Sequence, residues 1–265
     1  MDFLNTPIKN QFKWPSLGKC DLILSPDYNV YPDINLILPK KYIGIEVEVE
    51  KVKQVKFLYD TIWSIKEDGS LRNSGLEFVS RPLSGNQIKF ALNSLFSETI
   101  PLDADFSERT SIHIHINMRD ALCNELINLV LLYLVVERLF YKFAGTERYE
   151  NIFCVPVQET KLPIAVANYL IYNDINTLIR EWQKYSGLNL SPLRNFGTVE
   201  YRHMKGHREP IYLLNWINLI LRLHKYAKKN EFLKLFNYIK TLNSTSLYEE
   251  FIKIVFKEDS KYLIS

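Results

Sequence analysis

The sequence is poor in the features that mark secreted and membrane proteins. Among its 265 residues it has only three cysteines, and no two of them form a C-x-x-C pair. This argues against a disulfide framework and a structural zinc site, so we expect buried thiols in a reducing compartment. The longest apolar run, 126–136, is far shorter than the roughly 18 residues that span a bilayer. The first residues also lack an export signal. These absences predict a cytoplasmic protein without a membrane partner.

The sequence also lacks an excess of charge of one sign and the glycine-rich loops of common nucleotide-binding folds. It has 33 basic and 30 acidic residues, which gives a formal net charge of +3. This balance predicts no nucleic-acid partner. There is no G-x-x-x-x-G-K-[ST] motif, and no G-x-G-x-x-G motif follows a strand. We therefore do not expect a P-loop or a dinucleotide-binding fold.

The chain contains enough apolar sequence for one sizeable core, since 47% of its residues are hydrophobic. Strand and helix patterns mix irregularly, without βαβ units, which predicts an α+β domain with a mainly antiparallel sheet and helices on its apolar face. We expect an irregular N-terminal segment (1–40), a main domain (41–230) and a C-terminal helical extension (231–265). The predicted strands are 42–49, 61–64, 76–80, 111–117 and 197–203, and the predicted helices are 88–96, 121–143, 165–185, 210–229, 231–243 and 246–257.

Four of the predicted strands carry cation- or phosphate-binding residues on their polar face. The period of two places Glu46 and Glu48 on one face of the first strand, and Glu77 lies opposite its apolar neighbours. The other two strands contribute His113, His115, Glu200 and Arg202. Taken singly, these motifs are also typical of a solvated strand face, a pair of surface histidines and a cross-strand ion pair.

Taken together, the four strands indicate a metal site. Carboxylates about 4 Å apart repel each other by ~4 kcal/mol per pair at an effective dielectric constant of 20. Bound cations would remove this repulsion, and a set of carboxylates with an imidazole suits Mg²⁺ or Mn²⁺. We therefore predict two or more divalent ions that share their coordination with nucleotide phosphates. Arg148, Arg194 and Arg202 are the candidate phosphate-binding arginines, although Arg148 suits a structural ion pair equally well.

In their order along the chain, these motifs resemble those of amidoligases from phages and bacteria, which belong to the glutamine synthetase-like carboxylate–amine ligases. The resemblance covers about residues 42–223, or roughly two thirds of the chain. It rests on the segments Gly44–Glu48, Glu67–Leu71, Gly75–Leu83, Ser111–His115, Arg148–Pro156 and Leu188–His203. It implies a curved antiparallel sheet with a concave face that binds ATP and two or three divalent ions, helices on its convex face, and 41–230 as the catalytic domain.

The resemblance also implies roles for individual residues. Glu48 and Glu77, joined by Asp68, would hold the ion near the acceptor substrate. The ion at the nucleotide phosphates would be held by Glu46, His113 and Glu200. Arg202 would stabilise the transferring γ-phosphoryl group, and His115 would contact phosphate or substrate. Glu77 or a neighbouring acid would act as the base for the amine.

The expected activity is therefore ATP- and Mg²⁺- or Mn²⁺-dependent joining of a carboxylate to an amine through an acyl phosphate. The substrates would be small molecules, peptides or polymers, in a bacterial or phage-infected cell. Two alternatives stay open. One is a metal-dependent hydrolase that uses the H-x-H strand and needs no nucleotide. The other is a catalytically lapsed scaffold that serves as a phage structural or interaction protein.

Overall fold

The computed structural model describes residues 2–25, 30–53, 55 and 60–264. Its centre is an open sheet of six strands, in the order β2-β3-β1-β4-β6-β5, in which every pair of neighbours is antiparallel. The strands are β1 (Ile43–Val49), β2 (Trp63–Lys66), β3 (Leu76–Ser80), β4 (Ser111–Asn117), β5 (Leu188–Asn189) and β6 (Thr198–Lys205). Together with the helices described next, this sheet confirms the predicted α+β class.

The longest helices pack on one face of the sheet, where α2 contacts both β6 and α6. The helices are α1 (Asn86–Ser94), α2 (Cys123–Ala144), α3 (Leu162–Tyr172), α4 (Ile175–Glu181), α5 (Pro192–Asn195), α6 (Pro210–Lys229), α7 (Phe232–Lys240) and α8 (Thr245–Phe256). Within the described residues, no helix is both long enough and apolar enough to cross a bilayer. All three cysteines are buried and carry free thiols, as predicted.

The alternation of apolar and polar residues explains why the sheet has one dry face. Ile45, Val47, Phe78, Ile112 and Ile114 are fully inaccessible to solvent. Burying a side chain of this size contributes about 1.5–3 kcal/mol. A slip of one residue in any strand would exchange its apolar and polar faces, so this burial also fixes the register. The register in turn places the acids and histidines of β1, β3 and β4 together on the opposite face.

Two predicted elements differ from the structure. The single helix predicted at 165–185 is wrong, because α3 ends where Asn173 adopts a left-handed conformation, with φ of 58°. A new helix, α4, then begins with Asp174 as its N-cap, whose side chain accepts a hydrogen bond from the Asn176 amide. The strand predicted at 61–64 lies two residues later, at Trp63–Lys66. The structure also adds the two-residue strand β5, which is too short to show a periodic pattern.

A bulge in β6 lies at the centre of the sheet. Ile112 pairs with Met204 whereas Ile114 pairs with Tyr201, so β6 has one residue more than β4 in this interval. The bulge leaves the Arg202 side chain on the polar face, while His203 is fully buried on the helical side. Bulges of this kind turn individual side chains away from strict alternation.

We predict that Gly187→Ala destabilises the protein, because the residue before β5 has no room for a side chain. A Cβ atom there would lie 2.6 Å from both His203 Nε2 and the Tyr133 hydroxyl. These partners are buried and hydrogen-bonded to each other, so they cannot move away freely. We expect a loss of about 1–3 kcal/mol in unfolding free energy, as for other overpacked cores. Chemical denaturation of both proteins measures it, and Gly18→Ala, at a site with open space, is the control.

Candidate active site

The polar face of the sheet forms the floor of a cleft of about 540 Å³. The strands β1, β3, β4 and β6 supply its central side chains, and the loop after β2 supplies Asp68 and Ser70. The predicted site residues that line it are Glu46, Glu48, Asp68, Glu77, His113, His115, Glu200 and Arg202. The sequence separates these residues by more than 150 positions, and the sheet brings them to one surface.

The first cluster of possible metal ligands consists of Glu46, His113 and Glu200, whose donor atoms lie within 4.8 Å of one another. The His113 Nδ1 atom is 3.1 Å from Glu46 Oε2 and 3.2 Å from Glu200 Oε1. Three atoms with lone pairs thus converge on one point, which requires a proton or a cation between them. Asn189 on β5 holds the second carboxylate oxygen of Glu200 through a hydrogen bond of 2.7 Å.

The second cluster consists of Glu48, Glu77 and His113. Glu48 is almost fully buried, and its Oε2 atom accepts hydrogen bonds from the amide and hydroxyl of Ser111, at 2.8 and 2.7 Å. The same hydroxyl lies 2.8 Å from His113 Nε2. Because the Ser111 proton is given to Glu48, the hydroxyl accepts from Nε2–H, and the Nδ1 lone pair then faces the first cluster.

The pKa of Glu77 is shifted in the opposite direction to the pKa values of Glu46 and Glu200. Burial favours the neutral form of Glu46 and Glu200, but the neighbouring His113 and His115 outweigh it and lower the pKa of both carboxyl groups. Burial and the charge of Glu46 raise the pKa of Glu77 to about 7. Burial disfavours the charged form of His115, yet its contact with Glu46 and the charge of Glu200 raise its pKa above the ordinary value. Among the residues that line the cleft, the five carboxyl groups outnumber the three arginine and lysine side chains.

Comparison with known families identifies the chain. A family model described as "Putative amidoligase enzyme" matches residues 25–224. The chain belongs to this amidoligase family. The match includes every residue of both clusters, and it confirms the resemblance found in the motifs. A search of curated proteins finds no match.

The donor atoms of this amidoligase site fit hard divalent ions. Both clusters consist of carboxylates and one imidazole, and no cysteine lines the cleft among the described residues. Carboxylate oxygens with few nitrogen ligands suit Mg²⁺ or Mn²⁺ better than zinc. Asp68 lines the same cleft, and its Oδ1 atom accepts hydrogen bonds from the Ser70 amide and hydroxyl. Its other oxygen makes no hydrogen bond within the described part of the chain.

The three arginines predicted to bind phosphate occupy different positions. Arg202 lines the cleft, with its Nη1 atom on Glu200 and its guanidinium 5.8 Å from the centre of the Tyr185 ring. Arg194 is exposed on α5 and lies outside the lining of the cleft. Arg148 is buried and donates a hydrogen bond to the backbone carbonyl of Arg202. The structure therefore brings only Arg202 to the two clusters.

His115 does not form a metal-binding pair with His113. Its Nδ1 atom lies 3.0 Å from the Thr198 hydroxyl, and its Nε2 atom lies 3.4 Å from Glu46 Oε1. Neither group of possible ligands in the described residues includes it. The H-x-H motif thus contributes one candidate ligand and one side chain that contacts Glu46.

A second, more apolar chamber of about 270 Å³ adjoins the cleft and shares Glu46, His115 and Phe196 with it. One wall of this chamber consists of residues 15–18, which lie outside the family match. Arg119 holds this wall, because its guanidinium donates hydrogen bonds to the carbonyls of Pro15 and Phe196, at 2.6 and 3.0 Å. The irregular N-terminal segment is thus part of the surface beside the site.

Several residues of the cleft have side-chain roles that the sequence patterns do not reveal. Ser111 and Asn189 position the carboxylates of Glu48 and Glu200, but single serines and asparagines are too common to be recognised. Phe153 and Tyr185 line the cleft from loops without a periodic pattern. The exposed Arg109 and Lys184 also line it. Except for Ser111, which alternates with His113 on β4, these residues lie in loops or in β5, where alternation gives no information about facing.

Proposed function

We propose that this protein is an ATP-dependent carboxylate–amine ligase that requires Mg²⁺ or Mn²⁺. The observation that carries this proposal is the convergence of two carboxylate clusters on His113, with Arg202 beside them, in one cleft of an amidoligase-family chain. Phosphoryl transfer needs positioning and charge neutralisation more than covalent participation by the protein. Once cations are bound, the acidic cleft and Arg202 can provide both the positioning and the charge neutralisation.

The reaction consists of two steps. A substrate carboxylate oxygen attacks the γ-phosphorus of ATP, the bond to ADP breaks, and an acyl phosphate forms. The amine then attacks the acyl carbon, phosphate leaves, and the nitrogen loses a proton. Divalent ions, when bound, would neutralise the phosphates. Glu46, His113 and Glu200 would hold the ion at the nucleotide, and Glu48 and Glu77 the ion near the acceptor, with Asp68 at its edge.

Arg202 and Glu77 have the other catalytic roles in this proposal. The Arg202 guanidinium lies next to the first cluster, where it can stabilise charge on the transferring phosphoryl group. The raised pKa of Glu77, about 7, suits a group that accepts a proton from an amine near neutral pH. A cation bound to the same carboxylate would lower this pKa, so a Glu77 that acts as base would be free of metal at that step.

The shape of the surface favours one orientation of ATP. Arg202 lies toward one end of the cleft, and the apolar chamber lies beyond Glu46 and His115 at the other. A triphosphate over the first cluster with its γ-phosphate at Arg202 would direct the nucleoside into this chamber. His115 would then contact the phosphates or the ribose. Arg109 and Lys184 at the Arg202 end would face the carboxylate or amine substrate, a small molecule, peptide or polymer.

Trapping of the acyl phosphate tests the proposal without knowledge of the natural amine. The purified protein is incubated with ATP, MgCl₂ or MnCl₂, hydroxylamine and a panel of mono- and dicarboxylic acids and acidic peptides. The expected result is a hydroxamate from one class of acid, with one ADP released per hydroxamate and none in the presence of EDTA. Turnover of an ester or amide without ATP would instead support a metal-dependent hydrolase. Absence of ATP and metal binding would support a lapsed scaffold.

A further inference from the structure

The interior behind Arg202 contains polar groups that the proposed reaction does not use. Arg148 is only 2% exposed and forms no ion pair with any carboxylate among the residues that the structure describes. Its Nε atom has no hydrogen-bond partner there. A buried charge without a partner carboxylate costs stability, and an apolar side chain of similar volume is often neutral or stabilising in its place. Arg148 therefore needs an explanation other than stability.

A hydrogen bond from the Arg148 side chain to the backbone explains its position. Its Nη2 atom donates to the backbone carbonyl of Arg202, at 3.1 Å. Arg202 lies in the bulge of β6, where the regular ladder to β4 is interrupted. The Gly187 amide, which lies opposite Arg202, donates to the Val155 carbonyl instead, at 3.1 Å, so Arg148 supplies the donor for the Arg202 carbonyl. The Arg202 amide is held in turn by the Gly187 carbonyl, at 2.9 Å.

The same loop also holds the Arg202 side chain. The Nε atom of Arg202 donates to the carbonyl of Phe153, at 3.2 Å. This carbonyl is fixed because Tyr141 donates to the next carbonyl, that of Cys154, at 2.7 Å. The buried Glu137 accepts the Val157 amide at 2.7 Å. Residues 148–157 therefore link helix α2 to the backbone carbonyl and to the guanidinium of Arg202.

We propose that Arg148 is a positioning residue, which fixes the backbone of Arg202 in the β6 bulge so that the Arg202 guanidinium faces the transferring phosphoryl group. The role of Arg202 at the phosphoryl group rests on the proposed function, whereas the role of Arg148 in holding the Arg202 backbone does not. Arg148 has no access to the cleft and contacts no substrate. A misplacement of about 1 Å at a positioned group can cost 10²-fold in rate, so a backbone shift at the bulge is enough to affect turnover.

The test compares Arg148→Met, Arg148→Lys and Arg202→Lys with the double variant Arg148→Met/Arg202→Lys. Arg138→Met, at an exposed arginine on α2, is the matched control. We expect Arg148→Met to lower kcat about 10- to 100-fold, with KM for ATP changed less than threefold and an unchanged or higher melting temperature. Arg148→Lys is expected to restore part of kcat, since it retains one donor. In the Arg202→Lys background, Arg148→Met is expected to add almost nothing.

An NMR measurement, which does not depend on ligase activity, tests the positioning role of Arg148 separately from the catalytic role of Arg202. The Nε–H resonance of Arg202, assigned by its loss in Arg202→Lys, reports the hydrogen bond to Phe153 by ¹⁵N NMR. We expect this resonance to be protected in the native protein and in Arg138→Met, and to exchange rapidly or shift in Arg148→Met. An unchanged resonance in Arg148→Met would overturn the proposal whatever the activity. An equal loss of kcat in both Arg202 backgrounds would also overturn it. Loss of the resonance in a protein without ligase activity would keep Arg148 as a positioning residue and overturn only the proposed reaction.

Discussion

Glu200→Gln is expected to abolish ATP-dependent turnover while the protein stays folded. The substitution keeps the size of the side chain and an acceptor for Asn189, but it removes one anionic ligand of the first cluster and the charge that faces Arg202. Loss of a group that only supports a metal ligand lowers metal affinity or activity about 10- to 100-fold. Loss of a proposed ligand itself should therefore lower activity more than roughly 100-fold. Hydroxamate formation and metal-dependent ADP release measure the effect.

Glu231→Gln is the matched control for this substitution. Glu231 is exposed, lies outside the family match and forms an exposed ion pair with Lys234, at 2.9 Å. We expect native activity from this variant, because an exposed ion pair of this kind contributes little. Even a residue that only supports a metal ligand typically lowers activity about 10-fold or more when it is lost. If Glu200→Gln retained more than about a tenth of native activity, the first cluster would therefore not hold a metal that the reaction needs.

The second large effect is a metal-dependent change in stability that involves Glu77. The folded pKa of Glu77, about 7, lies above the ordinary value of 4.5, so the metal-free protein loses stability as pH rises from 4.5 to 7. Above pH 7 the loss is complete, and it amounts to about 1–2 kcal/mol once solvent screening of this half-buried carboxylate is included. Glu77→Gln removes this loss, so the metal-free variant should melt roughly 3–6 °C higher than the native protein at pH 8. The difference should be small at pH 5.

With divalent ions bound, we expect the native protein to melt at a higher temperature than Glu77→Gln. Mn²⁺ at about 100 times its Kd should stabilise the native protein by about 2.7 kcal/mol per site at pH 8. Glu77→Gln lacks one anionic ligand of the second cluster, so its melting temperature should rise less with Mn²⁺. Glu249→Gln, at an exposed glutamate of α8, is the control and should follow the native protein. Equal Mn²⁺ responses of native protein and Glu77→Gln would contradict a metal site at the second cluster.

The sequence predicts the sheet and its polar face well, for a physical reason. Strict alternation in β1 and β4 fixes which side chains share a face, and the burial of Ile45 and Ile114 enforces it. The motifs around Glu46, Glu77, His113 and Glu200 could therefore be assigned to one surface before any pairing was known. These side chains meet only because the strands lie in the order β3-β1-β4-β6, and the alternation of apolar and polar residues does not predict that order.

Other parts of the site could not be predicted from local patterns. Arg148 looks like a phosphate ligand because it is a basic residue in a family motif, but burial depends on how the loop folds over α2. Ser111 and Asn189 orient carboxylates through side-chain hydrogen bonds, and no periodicity reports such bonds. The break at Asn173 depends on one left-handed residue and one cap, which are weak signals within an apolar helical stretch. The proposed ion ligands and domain limits stay predictions.

The bulge in β6 makes the length of this strand as important as its composition. Glu200 and Arg202 face the cleft before the bulge, and Lys205 pairs with cleft-facing Ser111 after it, so the inward and outward positions exchange between them. Deletion of His203 would restore simple alternation with Met204 still on the helical side, but it would shorten the strand by one residue and remove the buried imidazole that contacts the Tyr133 hydroxyl. Related chains should therefore keep a constant spacing between the glutamate of β6 and the glycine that follows the strand.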